Sequence, residues 1–300
     1  MAAHAHSIAE LHALATLPVG QTADWVAAGD TAVWVGASGP NSVVRIDPAT
    51  NSVTDTVLLP GVACGGLAIG FGYLWVPLCG APPSLARIDL GSRRLDNVFP
   101  VGPSVSEGGP SVSAGSVWLI TDAAGTLARI DPVSGAISQT IMITAGAMNL
   151  VCVGNALYAT CSNGGTLVTV DAETGTPGRS FATGPRPHFL TVGGGCVWTL
   201  NQGDGSVSAI ELASGRTRGP IRLGTPGQGG DIAFGAERVW TTMFDVPLSV
   251  VRAKTGEIER QWRGPGGDSL GIAGDALWLT DYRAGSITRY SIAAILGSMT

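Results

Sequence analysis

Short apolar stretches separated by glycine-bearing turns run the length of this chain, and they recur as seven copies of one pattern. Each copy carries a β-branched or aliphatic residue, an aromatic and a short hydrophobic run. The aromatics are Trp34, Trp75, Trp118, Tyr158, Trp198, Trp240 and Trp278. Their spacing of about 40 residues is the period of propeller blades. Ten residues upstream of each aromatic a second apolar stretch begins, as in Gly66-Leu67-Ala68-Ile69 and His188-Phe189-Leu190-Thr191-Val192. A turn such as Phe71-Gly72 separates the two stretches, so each copy opens as a β-hairpin.

Beyond the aromatic the copies stay in step. In the first, a loop at Gly39-Pro40-Asn41 leads into Ser42-Val43-Val44-Arg45-Ile46-Asp47-Pro48, a turn, and Ser52-Val53-Thr54-Asp55-Thr56-Val57. The Arg-Ile-Asp run returns as Arg87-Ile88-Asp89 and Arg129-Ile130-Asp131, then more loosely as Thr169-Val170-Asp171 and Ala209-Ile210-Glu211. The sixth copy has Arg252 where the acid stands elsewhere. Four short antiparallel strands per copy predict an all-β fold, a seven-bladed β-propeller closed into a ring without long exposed edges. The seventh copy stops near Ser291 before a clear fourth strand, while residues 9–20 read as an outer strand. This N-terminal strand is expected to complete the last blade. The remaining expectations are a disordered tail over 1–8, repeats from about 21 to 291, and one domain over 1–300.

Composition narrows the function classes. Charged residues make up 13% of the chain against 45% hydrophobic ones, which fits large buried sheet faces rather than disorder. The formal net charge is −5 and Lys254 is the only lysine. Without a basic run, no nucleic-acid partner is expected. The apolar runs are strand-length and broken by glycine, so no membrane span is expected either. The first residues lack a basic region followed by an apolar one. As written they predict a cytoplasmic protein, or an exported one if a signal was removed. His4 and His6 alternate with alanine and could hold a metal weakly, although a neutral tail is the simpler reading. No nucleotide cofactor is expected, because Gly70-Phe71-Gly72 is a hairpin turn with no helix behind it. With no exposed apolar helix or coiled coil, a monomer is expected.

The five cysteines are read separately. A two-residue turn at Phe71-Gly72 sets Cys64 and Cys79 directly opposite each other across the second hairpin, a placement that permits a disulfide. Two reduced thiols at the blade end are the alternative. A bridge would favour an oxidising compartment. Cys152, Cys161 and Cys196 read as buried apolar fillers, and no spacing suits a zinc cluster.

The Val-Trp or Leu-Trp strand and the Arg-Ile-Asp-Pro turn resemble the bacterial YVTN-type and streptogramin lyase-type seven-bladed propellers over essentially the whole chain. Arg186-Pro187-His188, followed by Trp198, is similar to a late-blade segment of the streptogramin lyases, which open a macrolactone by elimination with help from Mg²⁺. In that family a glutamate and a further histidine in the last blade complete the site. Here Asp268 occupies the last-blade position equivalent to His188, and Asp281 stands where the glutamate is expected.

Propeller sites form at the channel mouth, where the first strand of each blade begins. The position ten residues before each aromatic holds Asp24, Gly65, Gly108, Met148, His188, Gly230 and Asp268. The next position holds Trp25, Gly66, Gly109, Asn149, Phe189, Asp231 and Ser269. These residues suggest a small-molecule enzyme of lyase or hydrolase type acting on an ester- or lactone-like substrate. His188 and Asp268 would be catalytic, and Trp25, Glu107, Asn149, Phe189, Asn201 and Tyr282 would contact substrate. Asp231 and Asp281 would hold a divalent cation, Mg²⁺ or Ca²⁺. The alternative is a non-catalytic propeller binding a small ligand or a protein at the same mouth. Asp and Asn also satisfy turn backbones, and a histidine often bonds only its neighbours. Asp47, Asp89, Asp131 and Asp171 recur at the opposite end and read as turn caps. Gly267-Asp268-Ser269-Leu270-Gly271 spells Gly-x-Ser-x-Gly, but it opens a propeller strand where a nucleophile elbow needs a strand, a turn and a helix.

Overall fold

A computed structural model describes residues 5–113, 115–224 and 229–297. Seven sheets of antiparallel blade strands follow one another over 22–58, 62–99, 111–142, 147–182, 187–222, 231–263 and 270–291, the last with three strands of its own and a fourth from the N-terminus. The first strand of each blade lies innermost, and that of blade seven packs against that of blade one to close the ring. The predicted seven-bladed propeller is therefore the observed fold. Middle strands are covered on both faces, so they read as nearly unbroken apolar runs, such as Ser116–Ile120. Outer strands such as Ser52–Leu58 are covered on one side only and are largely exposed.

The repeat aromatics hold neighbouring blades together. Trp34 fills the seam between blades one and two with Val43, Leu74 and Ile88. Trp75 does the same between two and three, Trp118 between three and four, and Tyr158 packs between four and five. Trp198, Trp240 and Trp278 occupy the last three seams, the last of them joining blades seven and one. The six tryptophans are at most 1% exposed, and truncating a side chain of this size typically costs about 3–5 kcal/mol.

Arginines brace three of these seams from outside. Arg87 Nη1 donates to the carbonyls of Pro132 and Val133 in the next blade, at 2.5 and 2.8 Å. Arg289 Nη1 crosses the closing seam to the Pro48 carbonyl and to Asn51 Oδ1, at 2.6 and 2.8 Å. Arg218 reaches the Ala253 and Lys254 carbonyls, both at 3.1 Å. Each guanidinium also lies within 6 Å of its own blade's tryptophan, at 5.8, 5.5 and 5.4 Å for Arg87, Arg289 and Arg218.

The N-terminal strand completes the last blade as expected: Ala13–Pro18 pairs antiparallel with Ser286–Ser291. The disordered tail is corrected in part. Ala5–Ser7 adds a fifth, parallel strand to the outer edge of blade six, and Ile8–Glu10 forms a 3-10 turn. Ser7 and Glu10 make a capping box there, while Ile8 and Leu11 pack onto the seam between blades six and seven. His6 stands 6.1 Å from the Trp262 ring; His4 lies outside the described residues. Among the described residues no helix is long and apolar enough to cross a membrane.

Cys64 and Cys79 form a disulfide with Cα atoms 5.6 Å apart. The pairing behind it differs from expectation. The predicted register holds from Ala68 to Gly70, but residues 64–67 bulge out of the ladder, so Val62 faces Cys79 and Cys64 bonds to the Pro77 carbonyl. The bridge is diagonal, not directly across. Cys161 and Cys196 are buried thiols, whereas Cys152 is partly exposed.

Two outcomes follow. Deleting residues 1–18 removes the strand that closes the ring and should lower the melting temperature on the order of 10 °C, from several lost ladder hydrogen bonds. Calorimetry checks this, and an unchanged midpoint would refute the closure role. Thiol titration of the denatured, unreduced protein should count the three free cysteines and not all five.

Candidate functional site

The mouth is built where the inner strands begin, and their ladders slip there. The register shifts between Asp24 and Val26, Ala147 and Leu150, and Pro187 and Phe189. Trp25 is held at φ 54°, a left-handed conformation costly for a bulky residue, and its amide donates to Asp24 Oδ1 at 2.8 Å. The indole crosses the axis to meet Phe189 of blade five, 6.1 Å between ring centroids. Trp25 therefore separates an outer cavity of about 560 Å³ from a channel cavity of about 200 Å³, and it lines both. Blades two and three approach too closely here for side chains. A Cβ on Gly65 would lie 2.0 Å from the Gly108 carbonyl oxygen.

Four carboxyl groups converge on these cavities. Asp24 and Asp268 line the outer one as neighbouring carboxyls. Burial holds both well above the usual carboxylate range, and the charge of Asp268 raises Asp24 further. Two adjacent carboxyls in such a setting retain one proton between them. Asp268 Oδ1 also accepts from the Gly230 amide at 3.2 Å. Asp231 faces the channel cavity, where burial pushes its carboxyl up to about 6. Its oxygens accept from the Ile232 amide at 2.8 Å and from Ser269 Oγ at 2.7 Å. Ser269 in turn accepts from the Val26 amide at 3.0 Å, so this fully buried serine ties blades six, seven and one together.

Glu107 is the fourth carboxyl and lines both cavities. Its backbone amide donates to the Cys64 carbonyl at 2.6 Å, which links it to the disulfide-anchored bulge of blade two. His188 Nε2 lies 2.8 Å from Glu107 Oε2, yet the imidazole N–H is out of line for a hydrogen bond. The contact is one of proximity. His188 is 5% exposed and lines neither cavity, so it stands behind Glu107 rather than in the mouth.

The other candidates separate. Phe189 lines the channel cavity with its ring tilted against His188, 4.6 Å between centroids, and Tyr282 lines the outer cavity beside Phe244 at 6.4 Å. Asn149 borders the channel cavity, but its amide is spent on neighbours: it accepts from Gly109 and donates to the Glu107 and His188 carbonyls. It positions the strand starts. Asn201 is fully buried and bonded to Thr199, Ser206 and Ser208, so it does not reach the mouth. Asp281 caps a turn at Ala284 and lines a separate depression with Phe244 and Arg283, so it does not join Asp231. Among the described residues no three His, Cys, Asp or Glu side chains stand close enough together to hold a metal ion.

Asp24 was the missed partner. It shares a blade position with Asp268, and ring closure makes blades one and seven neighbours. At the opposite end the recurrent aspartates cap turns: Asp131 Oδ1 accepts from Ser134 N at 2.7 Å and Asp171 Oδ1 from Thr174 N at 2.7 Å. These bonds hold Asp89, Asp131 and Asp171 below the usual range.

No protein-family model matches the chain, and no curated protein matches it. Among solved structures, BamB from Moraxella catarrhalis is similar at 14% identity and a TM-score of 0.62, covering 94% of this chain and 99% of that one. The computationally designed Ika8 protein is similar at 14% identity and a TM-score of 0.66, covering 97% of this chain and 100% of that one. Likeness at this identity concerns the fold alone. With the seven blades in place, the chain is a β-propeller, and the repeat-level resemblance to YVTN-type and streptogramin lyase-type propellers is consistent with that fold.

Proposed function

We propose that this propeller is an acid–base enzyme of hydrolase or lyase type, acting on a small ester- or lactone-like molecule in the outer cavity. The observation that carries the reading is the pair of neighbouring carboxyls Asp24 and Asp268, both raised by burial and open to a cavity that Glu107 also faces. In hydrolysis, Glu107 takes a proton from the attacking water while the protonated member of the pair delivers one to the departing oxygen. In elimination, Glu107 removes the proton α to the carbonyl and the pair again protonates the leaving group. His188 and Asn149 act as positioning residues, the first on the Glu107 carboxylate and the second on its backbone. This proton chemistry requires no cation. The Cys64–Cys79 bridge at the cavity wall supports work in an oxidising compartment.

Screening of esters and lactones tests the reading. Asp268→Asn and Glu107→Gln should each lower kcat by about 10²–10⁴-fold on any substrate found, the usual range for a general acid or base. Full activity in both variants would overturn the assignment.

The same carboxyls set a pH dependence of stability. Asp24, Asp231 and Asp268 hold protons in the native state at pH values where the unfolded chain has released them. Stability should therefore rise as pH falls from 7 through about 6, the Asp231 value. The turn caps act oppositely: their contribution is complete above the unfolded value near 3.8 and is lost as pH falls through their lowered folded values. The melting temperature should peak in mildly acidic solution, and Asp231→Asn should flatten the rise. A steady decline from pH 7 downward would contradict this.

A further inference from the structure

The lining of the mouth narrows the ligand. Asp24, Glu107 and Asp268 are the charged groups of the outer cavity, and none of the described residues lining it is basic. Glu107 and Asp231 continue the acidic lining into the channel, whose walls carry no basic side chain, while His188 stands behind Glu107 at 2.8 Å. An anion would meet acidic groups and no lining cation as it enters. The remaining walls are aromatic: Trp25 forms the floor, and Phe244 and Tyr282 meet edge to face at the rim. Phe244 already accepts a cation, since the Arg283 guanidinium lies 5.4 Å from its ring while lining a separate depression. Carboxylates beside aromatic faces suit an alkylated ammonium group better than a small hydrated ion, because ring faces attract a diffuse cation with little desolvation.

A second, independent feature points to a ligand. Trp25 is 6% exposed, lines both cavities, and carries a buried indole N–H with no hydrogen-bond partner. Such an orphaned donor is costly unless an acceptor arrives. We propose that the mouth binds an organic cation, a protonated amine or quaternary ammonium, that also bears an acceptor oxygen. As a substrate this is an amine-bearing ester or lactone. That last step rests on the acid–base function proposed above, whereas binding of the cation does not.

Calorimetric titration with choline tests the inference, with dimethylbutanol as its neutral isostere and acetate as an anion. Choline should bind saturably, and the neutral isostere should bind about tenfold more weakly or worse, the loss expected when a desolvated cation–π contact disappears. Acetate should not bind. Tyr282→Ala, at an exposed rim position, and Glu107→Gln should each weaken choline several-fold with the melting transition intact. Equal binding of the isostere, preference for acetate, or no choline binding at concentrations on the order of 50 mM would overturn the proposal. Turnover of neutral esters without inhibition by choline would sink the cation and leave the acid–base function standing. Choline binding with no turnover of any ester would do the reverse.

Discussion

The structure depends on one repeated contact: a large aromatic from the second strand of each blade wedged against the next blade. A lone four-stranded sheet has two apolar faces and cannot bury either by itself. Stacking the sheets around an axis buries both, and the last sheet is left with a bare face unless the ring closes. Trp278 is therefore as necessary as the internal tryptophans, since it joins the last blade to the first. Arg289 and the Ala13–Pro18 strand act on the same closing blade, so contacts of three kinds secure the point where the chain ends meet.

The site is a by-product of that closure. Inner strands converge at the axis, where there is no room for a complete ladder, so several slip by a residue as they begin. The slips turn Trp25 and Phe189 across the channel and leave Asp24, Asp268, Glu107 and Asp231 around it. Carboxyls this close together in a partly dry space cannot all be ionised at low cost. Their raised proton affinities come from the packing that holds the ring rigid. Gly65 shows the same constraint from the other side, since a side chain there would collide with the Gly108 carbonyl of the neighbouring blade.

Much of this was legible in the chain. The column of residues ten positions before each aromatic named Asp24 and Asp268 as mouth positions, and the recurrent Asp47, Asp131 and Asp171 announced their turns. The errors have a common origin. Strand arithmetic treats each hairpin as regular, and it therefore placed Cys64 directly opposite Cys79, although the bulge at residues 64–67 makes the bridge diagonal. It likewise put His188 in the mouth, whereas the local slip places it behind Glu107. Asn201 and Asp281 are held away from the outer cavity by hydrogen bonds to their own neighbours, which the sequence pattern does not reveal.

By itself the sequence determined the repeat, the blade count, the strands and the N-terminal strand that closes the ring. These depend on local periodicity and on the burial of one aromatic per copy, both visible residue by residue. Tertiary structure alone decided which acids meet, which side chains face the cavity and which stand behind it. Asp24 and Asp268 hold the same position in the repeat but are 244 positions apart, and only the closed ring makes them neighbours. They meet because seven blades bring the first and last into contact, and because bulges at the axis aim them at the same space.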